Sequence, residues 1–92
     1  MASKSEVPGE KRSPFDICAD ILGVLAEEME CRRTLLASKS QLDSRGIARY
    51  IDFLLRNDLA TIAASRSNTT LRISEKGRKY LHQYAKLLTM LE

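Results

Sequence analysis

Arg45 and Arg49 are the residues whose type and spacing point most directly to chemistry. Four positions apart, they share one face of any helix built over this stretch. A guanidinium presents a planar fork of N–H donors, which matches phosphate oxygens or the O6 and N7 acceptors of guanine two bonds at a time. Ser44 sets a hydroxyl beside them, and Arg33, Lys39, Arg66 and Asn68 supply further donors on neighbouring segments. Together they suit recognition of a polyanion, with Arg45, Arg49 and Ser44 at base edges or phosphates and Arg33 and Lys39 at phosphates. The competing reading is a set of solvated charged faces. Constellations for catalysis are missing: there is no phosphate-cradling glycine loop, dinucleotide fingerprint or metal-ligand spacing. His82, the single histidine, lies far along the chain from any nucleophile. Cys18 and Cys31, thirteen positions apart, make a poor zinc set with His82 and read as reduced structural thiols. The expectation is a binding protein and not an enzyme, with no cofactor, metal or small-molecule substrate.

The charge distribution supports a polyanion more than the net charge of +3 does. Residues 14–30 carry Asp16, Asp20, Glu27, Glu28 and Glu30 and no lysine or arginine, whereas residues 31–72 carry eight basic side chains against three acidic ones. One region attracts a polyanion and another repels it. At 92 residues, 43% hydrophobic and 29% charged, the chain has the composition of one folded domain. No apolar run is long enough for a membrane helix, and the polar start lacks the core of a signal peptide. The expected location is therefore the cytoplasm, at the nucleoid.

The elements that must position these residues follow from periodicity. Residues 1–13 hold little that is apolar and read as a flexible tail, with residues 14–92 as the domain. From Pro14 to Met29, apolar residues at Phe15, Ile17, Cys18, Ile21, Leu22, Leu25 and Met29 follow the pattern of a half-buried helix, with Ser13 as its N-cap. Residues 33–38 have room for about two turns. A second amphipathic helix follows, capped by Asp43 or Ser44, with Ile47, Ile51, Leu54 and Leu55 inward and Arg45, Arg49, Asp52 and Arg56 elsewhere. Tyr50 and Phe53 belong to its inner half as packing residues, and Gly46 lets its backbone approach a groove closely. Two helices so closely joined, the second basic near its start, form a helix-turn-helix signal. Residues 59–63 and 70–73 then read as a β-hairpin whose tip carries Arg66 and Asn68, placed to reach a minor groove or its phosphates. Ser74 caps a last helix over residues 75–91, with Gly77 permitting tight packing near its start. The order is that of a winged helix-turn-helix: α+β, mainly α, with three helices, a two-stranded wing and a long C-terminal helix.

Tyr80, Tyr84, Leu87 and Leu91 follow the alternation of three and four that defines a coiled-coil seam, with Leu88 beside them. About 17 residues of helix run roughly 25 Å, more than closing so small a domain requires. A homodimer through this helix is the expectation, the alternative being a purely intramolecular stripe.

The run from Ile47 to Leu59 contains Tyr50-Ile51-Asp52-Phe53-Leu54-Leu55, and Ile73-Ser74-Glu75-Lys76-Gly77 opens the last helix. Both resemble the small archaeal winged-helix DNA-binding proteins, over roughly residues 15–91. That resemblance implies a dimer through an antiparallel coiled coil of the last helix and duplex binding with limited sequence preference. Gly46 and Asp58 depart from the pattern, which favours a longer side chain at the first and glycine at the second. The expected function is double-stranded DNA binding, as a transcriptional regulator or nucleoid-associated protein, with the recognition helix in the major groove and the wing alongside. The alternative is a winged-helix protein-interaction module whose basic face serves solubility.

Overall fold

The computed structural model describes residues 12–64 and 69–91. Most of the stretch read as a tail, and the hairpin tip with Arg66 and Asn68, lie outside them. The elements run α1 (Pro14–Glu28), β1 (Cys31–Arg32), α2 (Arg33–Ser40), α3 (Ser44–Arg56), β2 (Ala60–Ala64), β3 (Thr69–Ile73) and α4 (Glu75–Met90).

Helix α1 starts with a reciprocal capping box. The Asp16 N–H donates to Ser13 Oγ at 3.1 Å and the Ser13 N–H donates to Asp16 Oδ2 at 3.0 Å, satisfying two backbone donors the helix cannot pair itself. Arg12, also in the stretch read as tail, bonds Asp20 at 2.8 Å. The buried side of α1 is Cys18, Ala19, Ile21, Leu22 and Leu25; Phe15 and Met29, at the ends of the apolar pattern, are exposed instead. Ile21, Leu22 and Leu25 meet Leu36 of α2 and Ile47, Ile51 and Leu54 of α3 in one core, which also takes in Leu71 and Ile73 of β3. Cys18 and Cys31 are free and buried in it, and burial pushes both thiols up, so they remain protonated at neutral pH.

The sheet is antiparallel in the order β1-β3-β2. Ala60 faces Ile73, Ile62 faces Leu71, and Thr69 faces Ala64. The expected two-stranded wing is β2 with β3, and the sheet gains a third strand beyond it, because Cys31 and Arg32 pair with Leu71 and Thr70 along the other edge of β3. Two residues cannot display an alternation, so this strand has no signature of its own; it forms because the α1–α2 connection passes beside an open strand edge.

The end of α3 is held by Asp58, at φ 59°, a left-handed conformation that aspartate tolerates. Around it the Leu59 N–H donates to the Leu54 carbonyl at 2.9 Å and the Asp58 N–H to the Leu55 carbonyl at 3.1 Å, the two bonds of a glycine-type helix stop made without glycine. Ser74 caps α4, accepting from the Gly77 N–H at 2.9 Å and donating to the Asp58 carbonyl at 2.6 Å. Gly77 is buried, and a Cβ there would run into the Leu59 carbonyl. The start of α4 is therefore seated on the turn that leaves α3.

Candidate nucleic-acid interface

The turn between α2 and α3 is made by Gln41, in left-handed conformation at φ 58°, and by Asp43, whose carboxylate accepts from the Gly46 N–H at 2.7 Å. With Ile47, Ile51 and Leu54 buried, the opposite side of α3 is turned to solvent. Arg45, Arg49, Asp52 and Arg56 all occupy that outward side, at spacings of 4, 3 and 4. Arg56 Nε bonds Asp52 Oδ2 at 3.0 Å. Arg45 and Arg49 are exposed and form no ion pair among the described residues, and Ser44 is exposed in the same first turn. A Cβ at Gly46 would point toward Asp43 and Leu42 and fall 3.1 Å from Asp43 Oδ1, so the glycine relieves crowding at the turn. That differs from the groove-approach role expected of it.

The other sequence-selected cations are dispersed. Arg33 is the exposed first residue of α2. Lys39, in its last turn, pairs with Glu28 at 3.3 Å and lines a recess with Arg12, Asp20 and Glu27, on the acidic side of the molecule. Arg72 points outward from β3 and pairs with Glu30 at 3.3 Å. The structure therefore places Arg45 and Arg49 on one helix face, with Ser44 exposed in the same first turn, and sets Lys39 apart. It also adds Asp52 and Arg56 to that face, an extension legible in their continued spacing of three and four. Phe53, expected to pack inward, is 44% exposed and borders a shallow recess with Arg49, Tyr50 and Arg56. Its direction falls between the core and the outward side, where periodicity alone does not decide.

A second surface lies between α1 and α4. Tyr80 and Tyr84 stack with centroids 6.4 Å apart, and both are partly buried. The Tyr80 hydroxyl donates to the Phe15 carbonyl at 2.7 Å, and the Tyr84 hydroxyl donates to Asp16 Oδ1. These two members of the expected seam are thus already engaged with α1 through their hydroxyls. The Tyr84 bond, followed by the Ser13 N–H, holds the Asp16 carboxyl below its usual range. Burial first, then the Asp16 bond, pushes the Tyr84 phenol up, and burial pushes Tyr80 up to about 12. Beyond the tyrosines, Leu87, Leu88, Met90 and Leu91 are exposed. With Phe15, which is 71% exposed, Leu87, Leu88 and Leu91 border an open apolar groove. Among the described residues no group of three or more potential metal ligands occurs, and no helix is long and apolar enough to cross a membrane.

Comparison with known proteins gives a consistent frame. A family model described as winged helix-turn-helix matches residues 11–92. No curated protein sequence matches the chain. Among solved structures, Sso10a-2, a DNA-binding protein from Sulfolobus solfataricus, superposes with a TM-score of 0.77 at 20% identity, covering 86% of this chain and 81% of that one. A MarR family transcriptional regulator from Silicibacter pomeroyi superposes at 0.71 and 22% identity, over 80% of this chain and 52% of the other. A winged-helix DNA-binding protein from STIV gives 0.69 at 13% identity, over 85% and 91%.

Proposed function

This chain belongs to the winged helix-turn-helix family, and on that premise we propose that it binds double-stranded DNA, with α3 in the major groove and the wing along the adjacent backbone or minor groove. The observation that carries the reading is the pair Arg45 and Arg49, exposed on the outward side of α3 with no acidic partner among the described residues. Cations so placed are free to make bidentate bonds to guanine or to phosphate without first breaking an internal pair. Ser44 stands beside them, and Arg33, Lys39, Arg66 and Asn68 serve as supporting contacts in this reading. The solved neighbours named for DNA binding or transcriptional regulation support the same assignment. The protein acts by binding alone, in the cytoplasm at the nucleoid.

The groove between α1 and α4 receives a second copy of the chain. Leu87, Leu88 and Leu91 supply the apolar seam, Tyr80 and Tyr84 line its inner margin, and Phe15 extends it onto α1. A homodimer presents two recognition helices, as paired half-sites on a duplex require.

Exposed Phe53 favours a second reading, in which α3 docks a protein, since an apolar side chain is what such an interface buries. Titrating duplex binding with salt, for one random-sequence duplex and a pool of genomic fragments, separates the cases. Affinity that falls steeply with salt and is equal across fragments marks a nucleoid-type binder, and retention of a few fragments marks a regulator. Absence of binding to either sample supports the protein-docking reading.

A further inference from the structure

Asp52 is an acidic residue in the middle of a surface that otherwise offers guanidinium groups. It shares the outward side of α3 with Arg45, Arg49 and Arg56, and its side chain is 64% exposed. A carboxylate there is unfavourable for any binder held by phosphates alone, because it repels them and also draws a cation away: Asp52 Oδ2 holds Arg56 Nε at 3.0 Å. Elsewhere on the molecule two more cations are tied up in the same way, Lys39 of α2 by Glu28 at 3.3 Å and Arg72 of β3 by Glu30 at 3.3 Å. Unselective attraction is thus damped on three elements, while Arg45 and Arg49 stay unpaired among the described residues.

Within a major groove, a carboxylate has one favourable use: it accepts from an exocyclic amine, above all cytosine N4, and is repelled by the acceptors of guanine and thymine. The Arg56 bond engages Oδ2 and orients the group, leaving Oδ1 for a base. From residue 45 to residue 52 a helix rises roughly 10 Å, about three base-pair steps at roughly 3.4 Å each. Arg45, Arg49 and Asp52 therefore span one short stretch of groove.

We infer that Asp52 is a specificity-determining residue, reading a cytosine amine within a few base pairs of guanines bonded by Arg45 and Arg49. The inference rests on the DNA-binding reading above and deepens it from duplex DNA in general to a short G/C-containing element.

The test is selection from a pool of random-sequence 20-base-pair duplexes by the full chain, with sequencing of the bound fraction, for the wild type, Asp52→Asn and Glu28→Gln. Asp52→Asn removes the charge at constant shape on an exposed site. The expected result is that the wild type enriches a G/C-containing element and that Asp52→Asn lowers the ratio of best to random duplex by about 10-fold, with the cytosine preference lost. Glu28→Gln, which frees Lys39 away from the base-reading side, is expected to change affinity for all duplexes alike and leave that ratio unaltered. Binding by the wild type with no enriched element, or an Asp52→Asn variant that keeps both ratio and motif, overturns the inference while leaving DNA binding intact. Wild-type protein that retains no duplex at all overturns the DNA-binding reading itself, and this inference with it.

Discussion

Helices α3 and α4 begin alike and end differently. Each is capped by a side chain that accepts from the N–H of a glycine three residues on, Asp43 to Gly46 and Ser74 to Gly77. Helix α3 then buries Ile47, Ile51 and Leu54, the last only 1% exposed, and shows solvent a charged side with Phe53 at its margin. Helix α4 buries only Gly77, and its distal leucines stay open, with Leu91 75% exposed. A helix whose apolar side is already covered has mainly charge with which to recognise a partner; one whose apolar stripe is open gains most by covering it. The two helices are suited to different kinds of partner for that reason.

Substitutions that break this contrast have a ranked set of effects on folding. Leu54→Ala opens a cavity beneath α3 and is expected to cost about 2–5 kcal/mol, measured by denaturant unfolding. Gly77→Ala forces a methyl group toward the Leu59 carbonyl and is expected to cost about 1–3 kcal/mol. Gly46→Ala, against the side-chain oxygen of Asp43, changes stability by less than about 1 kcal/mol, because helix propensity offsets the crowding.

Asp16→Asn sharpens the contrast from the α1 side. The folded protein holds this carboxyl below its usual range, so the stabilisation is complete above the unfolded value and is lost as pH falls through the folded one. At neutral pH the substitution is expected to cost about 1 kcal/mol through the capping box and the Tyr84 bond. Unfolding midpoints of wild type and variant, measured from neutral pH downward, should converge in acid below about pH 4. The smallest effect on a single protomer's fold belongs to Leu88→Asp with Leu91→Asp, within about 0.5 kcal/mol for surface positions. That double variant is nonetheless expected to halve the sedimentation mass, and an unchanged mass contradicts the dimer seam.

Much of this arrangement was legible from residue order. Ser13, Asp43 or Ser44, and Ser74 announced three helix starts, the structure choosing Asp43; the spacing of Ile47, Ile51 and Leu54 set the inner side of α3, and the alternation of Leu71 and Ile73 set β3. Hidden features depended on groups distant in sequence. Strand β1 exists through its pairing with β3, and only folding brings Glu28 beside Lys39, a pair that a phosphate contact has to compete with. Phe15 and Phe53 fit apolar patterns at their margins, where a neighbour's presence decides burial, and none among the described residues covers them. Arg45 and Arg49 were legible as candidates, and the structure adds that Asp52 on their face pairs with Arg56, leaving these two unpaired among the described residues.

The most direct test of the central claim compares duplex affinity of the wild type with that of the Arg45→Ala, Arg49→Ala double variant on the same DNA at fixed salt. The double variant is expected to lose at least about 10-fold in affinity and to show a shallower salt dependence. Equal affinity and equal salt slope for the two proteins would contradict the assignment of α3 as the DNA-reading helix.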